Sequence, residues 1–129
     1  MFDSHSFDYI NILDKAADAS WLRNEAIVNN IANKSTPGYK RQDVAFENIL
    51  SQKLGAAAFQ NMDDKVAKVD FNQLAPKVYT DKSSLSYNLD GNNVDIDTEN
   101  VQLAYNKIRY DQLINSMSAE FKRIQAVLK

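Results

Sequence analysis

Apolar positions near the start of the chain recur in alternating steps of three and four. Ile10, Leu13 and Ala17 begin the series, the polar Ser20 and Asn24 interrupt it, and Ile27 and Ile31 resume it. Such spacing puts one stripe along an α-helix and forms a heptad seam. It predicts a helix from about residue 6 to residue 33. Trp21 and Val28 widen the stripe, and Asp3 and Asp8 suit the positive end of the helix dipole. The end of the chain repeats the pattern through Leu103, Tyr110, Ile114, Met117, Phe121, Ile124 and Leu128, with Lys107 as its break. Asp97 or Thr98 is the expected cap, Glu99 falls in the first turn, and Lys122, Arg123 and Lys129 lie toward the end.

Between the two helices the period changes. Residues 43–54, DVAFENILSQKL, fit a short amphipathic helix with Asp43 as a cap and Gly55 as its stop. Beyond Pro76, the stretches KVYTD, LSYNL and NVDID are short and alternating, as half-buried strands are. Asp90-Gly91 fits a type I′ hairpin turn, in which both central residues need positive φ. The fold class is therefore mainly α. Long N- and C-terminal helices pair as a coiled-coil-like hairpin around a small middle segment containing a short helix and a β-hairpin. The expected division is 1–34, 35–97 and 98–129 within one structural module. Stripes this narrow want one or two partner helices. A monomeric hairpin and an assembly of identical copies both satisfy them.

Composition narrows the function classes. A chain of 129 residues suits one domain. Its net charge of −2, pI of about 5.3 and mean hydropathy of −0.47 lack the basic stripe of a nucleic-acid protein. With no cysteine, disulfides, thiolate zinc sites and cysteine nucleophiles are excluded. No apolar run approaches the ~20 residues of a membrane span. The N-terminus is acidic where a secretory signal is basic, which predicts a chain soluble when made and exported, if at all, without a classical cleaved signal.

Catalytic chemistry finds little support. The single histidine, His5, lacks the buried, oriented setting that a serine-histidine pair needs. Ser86, Asn88, Asp90, Gly91 and Asp97 fall at EF-hand spacing. However, serine opens the loop and aspartate closes it, where the calcium site wants aspartate and a bidentate glutamate. No phosphate loop or dinucleotide fingerprint is present. The expectation is no enzyme, cofactor, metal, nucleic acid or small-molecule substrate.

The stretch NNIANKSTPGYKR, residues 29–41, ends the first helix. Pro37 disfavours α geometry at Thr36, and Pro37-Gly38 fits the central positions of a type II turn. Asn29, Asn30 and Asn33 are placed to bond neighbouring backbones. Asn30-Ile31-Ala32-Asn33 followed by Thr36-Pro37-Gly38-Tyr39 and a basic residue resembles the N-terminal signature of bacterial flagellar rod and hook proteins. Asp90-Gly91-Asn92-Asn93-Val94, leading through an acidic stretch into an asparagine- and tyrosine-bearing helix, resembles the cell-proximal rod branch of that family.

That resemblance implies a structural subunit of the proximal rod of the flagellar basal body. It would polymerise through its terminal helices into the hollow, torque-transmitting drive shaft in the periplasm, and be exported by the flagellar type III apparatus without a cleaved signal. Implied partners are further copies of the chain, FliE, FlgC and further rod proteins, the MS ring and the export gate. The expected assembly surface is Ile10, Leu13, Ala17, Ile27, Ile31, Tyr110, Ile114, Met117, Phe121, Ile124 and Leu128, and Tyr39 and Lys40 are expected to face an adjoining subunit. Phe46 and Leu50 resemble the Phe-x-x-x-apolar element that engages the export gate. They share one helical side, which packing in a core also explains. A FlgC-like rod subunit and a cytoplasmic coiled-coil adaptor or secretion chaperone stand as alternatives.

Overall fold

The computed structural model describes residues 7–55, 60–82 and 89–129. Asp3, His5, Ser86, Asn88 and all but the last residue of the expected LSYNL strand lie outside the described residues. In chain order the elements are helix α1 (Asp8–Ala32), strand β1 (Gln42–Ala45), helices α2 (Glu47–Leu54) and α3 (Met62–Ala67), a 3-10 turn at Phe71–Gln73, strand β2 (Lys77–Thr80) and helix α4 (Ile96–Val127). The fold is mainly helical, with two long terminal helices and a small two-stranded antiparallel sheet. At 25 and 32 residues, α1 and α4 run about 37 and 48 Å.

Helix α1 is the centre of the molecule because it is buried on two sides. Ile10, Ala17, Ser20 and Ile27 are buried along its heptad stripe, and α4 lies along this side. A second side carries Ile12, Ala16 and Ala19 and receives the middle segment. There Phe46, Val69 and Leu74 form a core with Ala19, flanked by Ile49, Leu50, Leu54 and Phe71. Alanine lets the chain approach the helix backbone closely, and Leu74 is fully enclosed. Burial of one such leucine contributes about 2 kcal/mol.

On α4 the covered positions include Glu99, Leu103, Asn106, Tyr110, Leu113, Met117, Glu120 and Ile124. Their steps of four and three form one unbroken heptad line. Lys107, Ile114, Phe121 and Leu128, which the apolar pattern selects, lie on its exposed flank. Asn106, fully within the seam, takes the place expected of Lys107 as the polar break.

Several local expectations are corrected. Residues 43–45 are strand, not the start of a helix. They pair with β2 in the register Gln42↔Thr80, Asp43↔Tyr79, Val44↔Val78 and Ala45↔Lys77, and α2 starts only at Glu47. The sheet thus joins segments on either side of α2 and α3. Residues 92–94 are buried coil whose polar groups bind the end of α1, and α4 begins at Ile96 with Asp95 as its cap. Asp95 accepts from the Asp97 amide and the Thr98 hydroxyl, so neither Asp97 nor Thr98 is the cap. Gly91 has φ +83° but no described non-glycine residue has positive φ, which rules out a type I′ turn at Asp90-Gly91.

Candidate assembly interface

The end of α1 is built as the sequence requires. Asn33 Nδ2 donates back to the Asn29 carbonyl, 2.8 Å away, and closes the last turn. The Tyr39 amide donates to the Thr36 carbonyl at 3.2 Å across Pro37-Gly38. With Gly38 at φ +71° this is the type II turn.

The segment 90–94 then folds against that turn. Asn92 is fully buried, and its Nδ2 lies 2.9 Å from each of the Asn33, Lys34 and Thr36 carbonyls. One amide therefore gathers three carbonyls just past a helix C-terminus, two of which, Asn33 and Thr36, also accept backbone amides in the turn. Its Oδ1 accepts from the Val94 amide at 2.8 Å. The Gly38 amide donates to the Asp90 carbonyl at 3.0 Å, and Lys40 Nζ donates to the Gly91 carbonyl. Asn93 Oδ1 accepts from the Arg41 amide at 2.8 Å. A Cβ added to Gly91 would come within 4.0 Å of Gly38 Cα, so the two glycine turns face each other.

A carboxylate sits beneath this corner. Glu99 is fully buried; its Oε1 receives Arg41 Nε at 2.9 Å and its Oε2 receives Asn30 Nδ2 at 3.1 Å. Asn30 also exchanges two 2.8 Å bonds with the Gln42 backbone and accepts the Tyr39 hydroxyl at 3.0 Å. Arg41 reaches Asp81 and Asp43 at 3.4 and 3.5 Å. Burial opposes the Arg41 charge, but the hydrogen bond and charge of Glu99 outweigh it and raise its pKa. Burial, then the Glu99 charge, raises that of Tyr39. Tyr39 and Lys40 thus turn inward to bind their own chain, contrary to the expectation that they face a neighbour.

A second polar group ties the middle segment to both long helices. Arg23 makes paired contacts of 2.9 and 2.7 Å with Glu47, and donates to the Val44 carbonyl at 2.9 Å. From α4, Arg109 meets the same Glu47 at 2.6 Å and lies over the Tyr105 ring. These groups line a shallow cleft of about 480 Å³ with Tyr79 and Gln102. Burial alone would raise the Glu47 pKa; the hydrogen bonds and charge of Arg23, with Arg109, outweigh this and lower it. Deeper in the seam, Asn106 Nδ2 donates to the Ser20 carbonyl at 2.8 Å while its Oδ1 has no partner among the described residues.

The residues expected to form an assembly surface divide into two sets. Ile10, Ala17 and Ile27 are buried, and Leu13, Ile31, Tyr110, Met117 and Ile124 are half-buried along the α1–α4 seam. Ile114, Phe121 and Leu128 are exposed. Trp21, 65 % exposed, has its ring centroid 6.4 Å from that of Tyr110, with the two planes tilted by 51°. Phe46 is buried in the middle core, with Leu50 half-buried beside it. The residues of the two family motifs, Asn30 to Asn33, Thr36 to Tyr39 and Asp90 to Val94, meet in the corner just described. Sequence reasoning missed Glu99, Arg23 and Glu47. For Glu99 the available signal was its place on the heptad line through Leu103 and Asn106.

No protein-family profile matches the chain. Comparison with curated proteins finds similarity to the flagellar basal body rod protein FlgB of Bacillus subtilis (strain 168), 34% identical over 120 residues and covering 92% of each chain. FlgB of Borrelia hermsii is 31% identical over 129 residues, covering 93% of this chain and 95% of the relative. FlgB of Escherichia coli (strain K12) is 28% identical over 114 residues, covering 83% of each.

Two outcomes follow from the geometry. Asn92→Ala strips one donor group from three carbonyls, and should destabilise the fold by about 1–3 kcal/mol. Urea unfolding checks this, and an unchanged midpoint would show that water replaces the amide. Glu47 has a lowered folded pKa, so its contribution is present above the ordinary glutamate range and is lost as pH falls through the lowered value. Glu47→Gln should therefore melt below the parent at neutral pH and converge with it in acid. Parallel melting curves from neutral pH into the acid range would remove Glu47 as a pH-dependent tie.

Proposed function

The chain belongs to the FlgB family of flagellar basal body rod proteins, and from that membership we propose that it is a structural subunit of the cell-proximal rod, polymerising through its terminal helices. Similarity along nine-tenths of both chains is the observation that carries this reading. The architecture supports it. Two long helices lie side by side, and their outer sides keep large apolar groups, among them Trp21, Val28, Ile114 and Phe121, uncovered in the single chain. Contacts between unlike surfaces do not close on themselves and extend into a helical filament. Helices packed in this way resist twisting, as a torque-carrying shaft must.

The partners on this reading are further copies of the chain, FliE, FlgC and further rod proteins, with the MS ring below. The subunit reaches its periplasmic position through the flagellar type III export gate without signal cleavage. No catalytic step is assigned to it.

Phe46 and Leu50 are available to the gate only while the chain is unfolded, because the folded core encloses the phenylalanine. Comparison with Leu74→Ala, which weakens the same core, separates the two roles. Phe46→Ala should lower secretion several-fold while Leu74→Ala does not; equal secretion by the two variants would assign Phe46 to packing alone.

Phe121 is 49 % exposed, so Phe121→Asp should leave the circular dichroism of the free subunit unchanged. Once an assembly covers it, an unpaired carboxylate costs at least ~2 kcal/mol, and the variant should be missing from isolated basal bodies. Cells that swim normally with Phe121→Asp would remove this side of α4 from the rod contacts.

A further inference from the structure

We propose that the outer side of α1 is the seat for the C-terminal turns of α4 from a second copy of the chain. The inference rests on the rod-subunit reading and specifies which surfaces meet. Phe7, Asp14, Trp21 and Val28 are all exposed and follow one another at intervals of seven, and Asp18 and Glu25 run beside them at the same interval. Such a spacing keeps each set on one stripe of the helix. The result is an apolar stripe bordered by acid, with Trp21 and Val28 at 65 % and 48 % exposure. Every charge on it is negative. Among the described residues no ion pair reaches Asp14, Asp18 or Glu25.

The end of α4 offers the complement. Ile114, Phe121 and Leu128 form an exposed stripe at intervals of seven, and Lys122 and Lys129 run beside it at the same interval. The Glu120 carboxylate is taken by Arg123 at 2.5 Å, and among the described residues no ion pair reaches Lys122 or Lys129. Apolar and charged stripes thus share one period on both surfaces and have opposite sign. Within one chain they do not meet, because α4 is committed to another side of α1 through Asn106 to Ser20 and Glu99 to Asn30. A second copy supplies the contact. The two surfaces differ, so it repeats from copy to copy without closing.

The absence of native cysteine makes the contact testable in intact assemblies. Glu25→Cys is combined in the full chain with Lys122→Cys, Gln125→Cys or Lys129→Cys, produced in flagellated cells and oxidised in place. Disulfides form only where Cα atoms come within about 7 Å. Basal bodies should yield a reducible ladder of dimers and longer oligomers for at least one pairing, and none for Glu25→Cys alone. Incorporation without a ladder for any pairing would overturn the contact and leave the rod reading intact, and so would cross-linking by Glu25→Cys alone, since like surfaces would then meet. Absence of the unsubstituted chain from basal bodies would instead defeat the rod reading, and this contact with it. As a second measurement, Asp18→Lys with Glu25→Lys should reduce swarming about tenfold or more, and adding Lys122→Glu with Lys129→Glu should restore it. Failure to restore, with all variants folded by circular dichroism, would also overturn the proposal.

Discussion

The Glu99 carboxylate is the point on which the geometry of the two long helices depends. A buried charge without partners is strongly disfavoured. Here the partners are Arg41 and Asn30, 58 and 69 residues earlier in the sequence. The start of α4 can occupy its place only when the end of α1 and the chain leaving it are already arranged. Asn30 serves the carboxylate with the same amide that binds the Gln42 carbonyl, so β1 is positioned by the same residue. Nearby, Asn92 holds the last carbonyls of α1 while its oxygen receives the Val94 amide. These shared partners tie the start of α4, the end of α1 and β1 to one another. That is the property a subunit needs if the angle between its helices is to be the same in every copy.

Much of this was legible from residue spacing, and the failures have physical causes. Steps of three and four located both long helices, because a buried helical stripe must recur at that interval. They misplaced the seam of α4 because three of its positions, Glu99, Asn106 and Glu120, are polar or charged, whereas the exposed Ile114 and Phe121 are apolar. Hydropathy cannot tell an inward side from an outward one when the outward side carries large apolar groups. The turn at Pro37-Gly38 was readable because its geometry follows from two adjacent residues. Strand β1 was not, since its partner lies more than thirty residues away and a four-residue strand carries little pattern of its own. Arg23, Glu47 and Glu99 were invisible as partners for the same reason: charge pairing across the fold leaves no local trace.

The inward orientation of Tyr39 and Lys40 changes the meaning of the family motif. Its polar residues are consumed within the chain, by Asn30 and by the Gly91 carbonyl. The motif is therefore an internal joint. It sets where α1 stops and how α4 enters, and under the proposal recognition of neighbours falls to other surfaces.

On the proposed reading those surfaces are the outer sides of the helices, and the seam between them is built to fix position at some cost in strength. Asn106 uses its amide on Ser20 while its buried oxygen has no partner among the described residues, which costs about 1–3 kcal/mol. A leucine there would pack more favourably and would also accept neighbouring registers, since leucine meets leucine equally well one heptad along. The asparagine amide finds its acceptor at the Ser20 carbonyl. Together with Glu99, seven residues earlier, it sets the sliding position of α4 along α1 at two levels. A helix locked at two points along its length transmits a rotation applied at one end without slipping, which an all-apolar seam of greater stability would not guarantee.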